Sequence, residues 1–121
     1  MTHVRLQLWL QQMQEAVAQA LEYVEGMDRQ AFIAERRTQQ AVVLNLLLIG
    51  ELAAKVLEHD SGFAGLHPEV PWSSMKGMRN RIAHGYFEMD LDIVWTTVAE
   101  ALPGLKAALP AVLEAAQQGA A

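Results

Sequence analysis

No cysteine occurs in the 121 residues. A disulfide framework and a thiolate metal site are therefore excluded, as is thiol redox chemistry, and a reducing compartment, the cytoplasm, is the expected location. Proline and glycine are sparse, at 4 and 8 residues, beside abundant alanine, leucine, glutamine and glutamate. That balance reads as globular and helical. Lysine and arginine number 9 against 14 acidic residues, for a net charge of -5. Broad, nonspecific binding to nucleic acid is thus disfavoured, because phosphate neutralisation by basic side chains supplies most of that affinity. Any polyanion contact must be local. The opening MTHVRLQLWLQQ lacks the unbroken apolar core and small-residue cleavage site of a signal peptide. The longest apolar run, AVVLNLLLIGELAAKVL, is interrupted by Asn45 and Glu51. Charge is costly inside a bilayer, so a buried helix of a soluble chain is expected and no membrane span.

The length suits one domain over residues 1–121, and the apolar periodicity makes it all-α. Leu6, Leu10, Met13, Val17, Leu21 and Val24 recur at three- and four-residue steps, predicting an amphipathic first helix that Gly26 ends. Asp28 suits the N-cap of a second, from about Arg29 to Glu58 through Phe32, Ala41, Leu44, Leu48, Leu52 and Val56. HDSGFAGLHPEVP, residues 59–71, is the main loop, and a shorter third helix follows Pro71. Asp90 or Asp92 can cap a fourth, beginning near Ile93 and carrying Val94, Val98, Leu102, Leu105, Leu109 and Leu113. Pro103 and Pro110 each remove an amide donor and should bend it, and residues 116–121 are expected to fray. Repeats, strand alternation and linkers are lacking, which leaves a four-helix, up-down bundle.

Two polar positions interrupt the second helix. Leu44, Leu47, Leu48 and Glu51 share a stripe by spacing, so Glu51 should point toward the core. A buried carboxylate must be paired or protonated. Glu51 either holds two helices in register through an arginine or orients a functional arginine; Gly50 beside it permits close helix approach. Asn45 reads as a satisfied amide at the edge of the core.

Cationic side chains are unevenly placed. Arg36 and Arg37 are adjacent, and Lys76, Arg79 and Arg81 fall within MKGMRNRIAHGYF, residues 75–87. On a regular helix Met75, Met78, Ile82 and Tyr86 make an inward stripe with Arg79 at its edge, while Lys76, Asn80 and His84 make a second stripe on the flank. Arg79 and His84 are five apart, so their directions differ by about 140°. Loosening near Gly85, the reach of arginine or a second copy of the chain could bring them together; reach combined with a dimer seam accounts for the spacing best. The segment can equally be a helix C-terminus whose arginine, histidine and glycine complement the dipole and cap the last carbonyls. His3, His59 and His67 lack comparable neighbours and read as surface or cap residues. Metal-ligand spacings, a glycine-rich phosphate loop and a nucleophile elbow are all missing from the pattern, so neither a metal site nor a cofactor is expected.

RNRIAH at Arg79 to His84, followed by Gly85-Tyr86, resembles the Arg-(four residues)-His motif of the HEPN superfamily, in the form ending His-any-Tyr of HepT-like toxins. LIGELA around Glu51, PW at Pro71-Trp72, KGMRN leading into the motif and YFEMDLDIVWTTVAEALPGL behind it extend the similarity over residues 30–109. The resemblance implies a helical homodimer and a metal-independent endoribonuclease, with Arg79 and His84 in the catalytic positions and Asn80 as the polar residue after the arginine. Two motifs would face each other across the dimer cleft. It further implies a toxin of a type VII-like toxin–antitoxin pair, neutralised by a nucleotidyltransferase antitoxin that can transfer AMP to a tyrosine matched here by Tyr86. Without the resemblance, a core tyrosine whose hydroxyl emerges at the helix end is the better explanation of Tyr86.

RNA, and not DNA, suits this chemistry because its 2′-hydroxyl can attack the adjacent phosphate. Histidine as a residue type titrates near neutrality and serves as base or acid, and arginine offers a two-pronged clamp to phosphoryl oxygens as charge develops. Asn80 would position the phosphate or His84, and Arg81 and Lys76 would guide the backbone. An AMP on Tyr86 would occupy the arginines and block RNA. The competing expectation is a non-catalytic HEPN module that binds a nucleotide or docks a partner through the same residues; a purely structural adaptor would leave the motif unused.

Overall fold

The computed structural model describes residues 2–119; the side chain of His3, expected at the surface, lies outside the described part. The first helix, α1 (Thr2–Tyr23), keeps the phase its periodicity sets: Leu6, Leu10, Met13 and Val17 are buried, as is Val24 just beyond it, and Leu21 packs against them half-buried. Gly26, with φ of 78°, supplies the left-handed turn that reverses the chain.

The second expected helix is two. Asp28 caps α2 (Arg29–Ile33) by accepting from the Ala31 amide at 2.8 Å, but the helix stops after five residues and α3 (Arg36–His59) starts beyond an extended Glu35. The carbonyls freed at the break are satisfied by Gln39, whose Nε2 donates to Phe32 and Ile33, both at 2.9 Å. The break frees α2 to bury Phe32 completely, its ring 5.4 Å from that of Trp95, while α3 packs between α1 and α5 (Trp72–Gly85). Arg29 pairs with Asp92, joining α2 to α6 (Leu91–Thr96).

The buried face of α3 is not the one expected. Val42, Val43, Leu46, Ile49, Leu52, Ala53 and Val56 form it, whereas Leu44 and Leu48 are 55% and 44% exposed. This helix is apolar nearly all round, so its periodicity leaves the phase open. α3 is long and apolar enough to cross a membrane by length and composition, yet half of its most apolar window is buried in the protein. Asn45 is a satisfied buried amide, its Nδ2 donating to the Ala41 carbonyl at 3.1 Å.

The expected loop at 59–71 contains a short helix, α4 (Ser61–Leu66). Its exit is pinned by Trp72 Nε1 donating to the His67 carbonyl at 3.0 Å. His67 Nδ1 lies 3.0 Å from Glu69, and that hydrogen bond holds the Glu69 carboxyl below its ordinary value. His59 closes α3 with its ring 5.6 Å from Trp9.

Of the two candidate caps, Asp90 caps α6, accepting from the Asp92 amide at 2.8 Å. A π-helical segment, Thr97–Ala101, joins α6 to α7 (Leu102–Gly119). Pro103 has no N–H to offer the Ala99 carbonyl, and the helical ladder widens in this turn. Pro103 then sits in the first turn of α7, where a missing donor is tolerated, while Pro110 lies inside the helix. α7 packs along α1. It continues through Gly119 with Ala116 buried; Ala120 and Ala121 lie outside the described residues. The chain is all-helical among the described residues.

Candidate active site

The motif helix is seated by a glycine. A methyl group added at Gly50 would overlap Cβ of Arg79 and stand 2.6 Å from the Met75 carbonyl oxygen and 3.2 Å from Arg79 Cα. Only a residue without Cβ lets α3 and α5 come this close. Met75, Met78 and Ile82 are buried in the resulting seam, as their spacing predicts, and Lys76, Asn80 and His84 are exposed on the flank.

At the edge of this seam Glu51 and Arg79 meet. Arg79 Nη1 donates to Glu51 Oε1 at 2.7 Å, and Arg79 Nε donates to Asn80 Oδ1 at 2.8 Å. Asn80 thus contacts Arg79 and not His84. Among the described residues both Nη2 protons are left without a protein acceptor, so the guanidinium is oriented and still has donors for an anion. The Glu51 side chain is 46% exposed and that of Arg79 23%. The expectation that Glu51 points into the core is corrected with the phase of α3: it stands at the rim, beside the exposed Leu44 and Leu48. For a pair this open, Glu51→Gln should lower folding stability by less than about 1 kcal/mol in a urea titration.

His84 occupies the exposed last turn of α5. With Arg81, Glu88 and Asp90 it lines a recess of about 340 Å³, and Arg79 is not part of that wall. One chain therefore groups Arg79, Asn80 and Glu51, groups His84 with Arg81, and leaves Lys76 exposed on the outer face. Tyr86 departs from the expected inward stripe. The α-helix ends at Gly85, and Tyr86 opens a 3-10 turn closed by the Met89 amide on the Tyr86 carbonyl at 3.2 Å; the ring is 38% exposed beside Phe87. Among the described residues no three histidine, aspartate or glutamate side chains converge as metal ligands would.

Residues 13–112 match the family model described as Ribonuclease HepT-like. The chain belongs to the HepT-like ribonuclease family. It is 41% identical over 96 residues to the "Probable ribonuclease HepT" of Thermococcus cleftensis, covering 76% of this chain and 84% of that protein. Two Methanocaldococcus jannaschii proteins with RNase in their names are also similar. MJ0127 is 33% identical over 74% of this chain and 71% of its own length, and MJ1380 is 34% identical over 76% and 82%. No solved structure matches. The matched span of the HepT-like model contains Gly50, Glu51, Arg79, Asn80, His84 and Tyr86, so the whole seam lies inside the family's shared region.

Proposed function

We propose that this HepT-like chain is a metal-independent endoribonuclease that works as a cytoplasmic homodimer and is the toxin of a toxin–antitoxin pair. The observation that carries the reading is the guanidinium of Arg79, fixed on two sides by Glu51 and Asn80 with its Nη2 edge open, five residues before an exposed histidine in a ribonuclease family. His84 removes the proton of an RNA 2′-hydroxyl, whose oxygen attacks the adjacent phosphorus. Arg79 stabilises the charge that develops on the phosphoryl oxygens. The P–O5′ bond breaks, an acid protonates the leaving oxygen, and a 2′,3′-cyclic phosphate and a 5′-hydroxyl result.

A second copy of the chain completes the constellation. Within one chain Arg79 does not line the recess that His84 lines, and the exposed Leu44 and Leu48 flank Glu51, so an apolar seam on this face would bring two motifs together and let the two copies of His84 divide the acid and base roles. Arg81 and Lys76 guide the RNA backbone, supplying local positive charge on an acidic protein. The exposed Tyr86 is the proposed acceptor of AMP from a nucleotidyltransferase antitoxin: its hydroxyl oxygen attacks the α-phosphorus of ATP and pyrophosphate leaves. The modified side chain would then present a phosphate to the same arginines.

Incubation of the purified protein, with Tyr86 shown unmodified by mass, with total RNA and tRNA in EDTA tests the reading. Expected are fragments ending in 2′,3′-cyclic phosphate or 3′-phosphate with 5′-hydroxyl partners. Intact RNA together with tight binding of a nucleotide or partner protein would replace the nuclease with the non-catalytic binding module.

A further inference from the structure

Phe87 stands apart from the other large aromatic side chains. The three tryptophans and the other two phenylalanines are buried or half-buried, whereas Phe87 is 98% exposed. Among the described residues its one aromatic neighbour is Tyr86, 5.4 Å away between centroids and tilted by 74°, and the Phe87 side chain stays open to solvent. It sits in the 3-10 turn Tyr86–Glu88, three residues past His84 and within roughly 10 Å of chain.

The surroundings supply the parts that hold a nucleotide. Phe87 and Tyr86 line a cavity of about 250 Å³ together with Met89 and Leu91 and, from α3, Arg36, Gln40 and Val43. Arg36 is exposed and, among the described residues, has no carboxylate within 4.0 Å. Gln39, also in this wall, has its amide committed to the Phe32 and Ile33 carbonyls, which leaves Gln40 as the amide facing outward. An aromatic plane, a cation for phosphate and an amide for a base edge are the parts by which single-stranded RNA is held.

We infer that Phe87, Arg36 and Gln40 form a stacking subsite for an unpaired nucleobase adjacent to the scissile phosphate. This deepens the ribonuclease reading and rests on it for the word scissile. The subsite makes the enzyme prefer single-stranded or looped RNA, because a base inside a duplex cannot leave its stack to cover Phe87.

The test uses 2′-O-methyl RNA strands carrying one ribonucleotide, which fixes the cleavage position, with an abasic residue placed in turn at each neighbouring position. For wild type, one abasic position should lower kcat/KM about tenfold. Phe87→Leu, which keeps an apolar side chain and loses the ring, should abolish that discrimination, and Phe87→Trp should keep it. If Phe87→Leu discriminates as wild type does, the subsite is wrong. It is also wrong if Phe87→Leu slows every substrate equally while the dimer dissociates in sedimentation, which would assign the ring to a seam between copies. If no variant cleaves, the nuclease reading fails by itself. Binding of the fully 2′-O-methylated strand then decides: about tenfold weakening in Phe87→Leu but not in Phe87→Trp supports the subsite, and equal affinities overturn it.

Discussion

Alanine at Arg79 should reduce RNA cleavage by ~10²–10³-fold, the usual consequence of removing one preorganised donor to a developing oxyanion. The fall should be carried by kcat more than by KM, because the guanidinium meets its full charge only as the phosphorane forms. Folding should change little. Glu51, which loses its partner, is 46% exposed and can be solvated, so the stability cost stays near that of a surface pair, under about 1 kcal/mol. A rate loss without a matching loss of stability separates a chemical role for Arg79 from a helix-pinning one. Arg79→Lys keeps the charge and loses the fork that bonds Glu51 and Asn80 together, so its activity should lie between the two. Steady-state kinetics on a short RNA, beside urea unfolding of each variant, reads both quantities. Equal kcat in wild type and Arg79→Ala would remove Arg79 from the chemistry. His84→Ala should fall by ~10²–10⁴-fold in the same assay.

The second large effect comes from one methyl group. Gly50→Ala gains up to about 1 kcal/mol of helix propensity, but its Cβ meets backbone and Cβ atoms of α5, which cannot rotate away as the tip of a flexible side chain would. Overpacking of this kind costs ~1–3 kcal/mol. The clash should win, with a net loss of about 1 kcal/mol in urea unfolding. Cleavage should also drop ~10²-fold, since displacing α5 by an ångström moves Arg79 off its target. Gly77→Ala is the matched control: it lies in α5 with nothing within 4 Å of an added Cβ, and should stabilise the protein by up to about 1 kcal/mol while leaving activity intact. If Gly50→Ala behaved like Gly77→Ala, the close approach of α3 and α5 would have no importance for the site.

How much of this could be read without the structure differs from helix to helix. α1 was legible because most of its large apolar residues share one stripe, with Val4 and Leu8 exposed outside it. α3 was not, because eight aliphatic residues in the stretch Ala41–Ile49 surround the helix and satisfy several phases at once; the stripe through Leu44 and Leu48 was as regular as the true one, and only the neighbours α1 and α5 choose between them. The break at Ala34 and Glu35 carries no glycine or proline to announce it. It depends on Gln39 reaching back seven and six residues to two carbonyls, a contact that propensity cannot express. α4 sat inside a stretch whose glycines and proline read as loop. The site was half legible. The family resemblance singled out Arg79 and His84, spacing showed the need for something beyond one straight helix, and Gly50 was read as a close-approach residue. The hydrogen bond from Arg79 to Asn80, and the release of Tyr86 from the inward stripe, follow from rotamers and from the turn at which α5 ends, neither of which a helical wheel contains.

Among the described residues, the long helix whose backbone lies close along α5 is α3 alone; α1 packs on α3 and α7. Robustness to mutation is therefore distributed unevenly. Substitutions between α1 and α7 can erode the margin of folding while the motif keeps its aim, so drift there is buffered until the whole chain fails. Changes along the single α3–α5 junction have no such buffer, and sequence variation that preserves activity should be narrow at this junction and broad across the rest of the bundle.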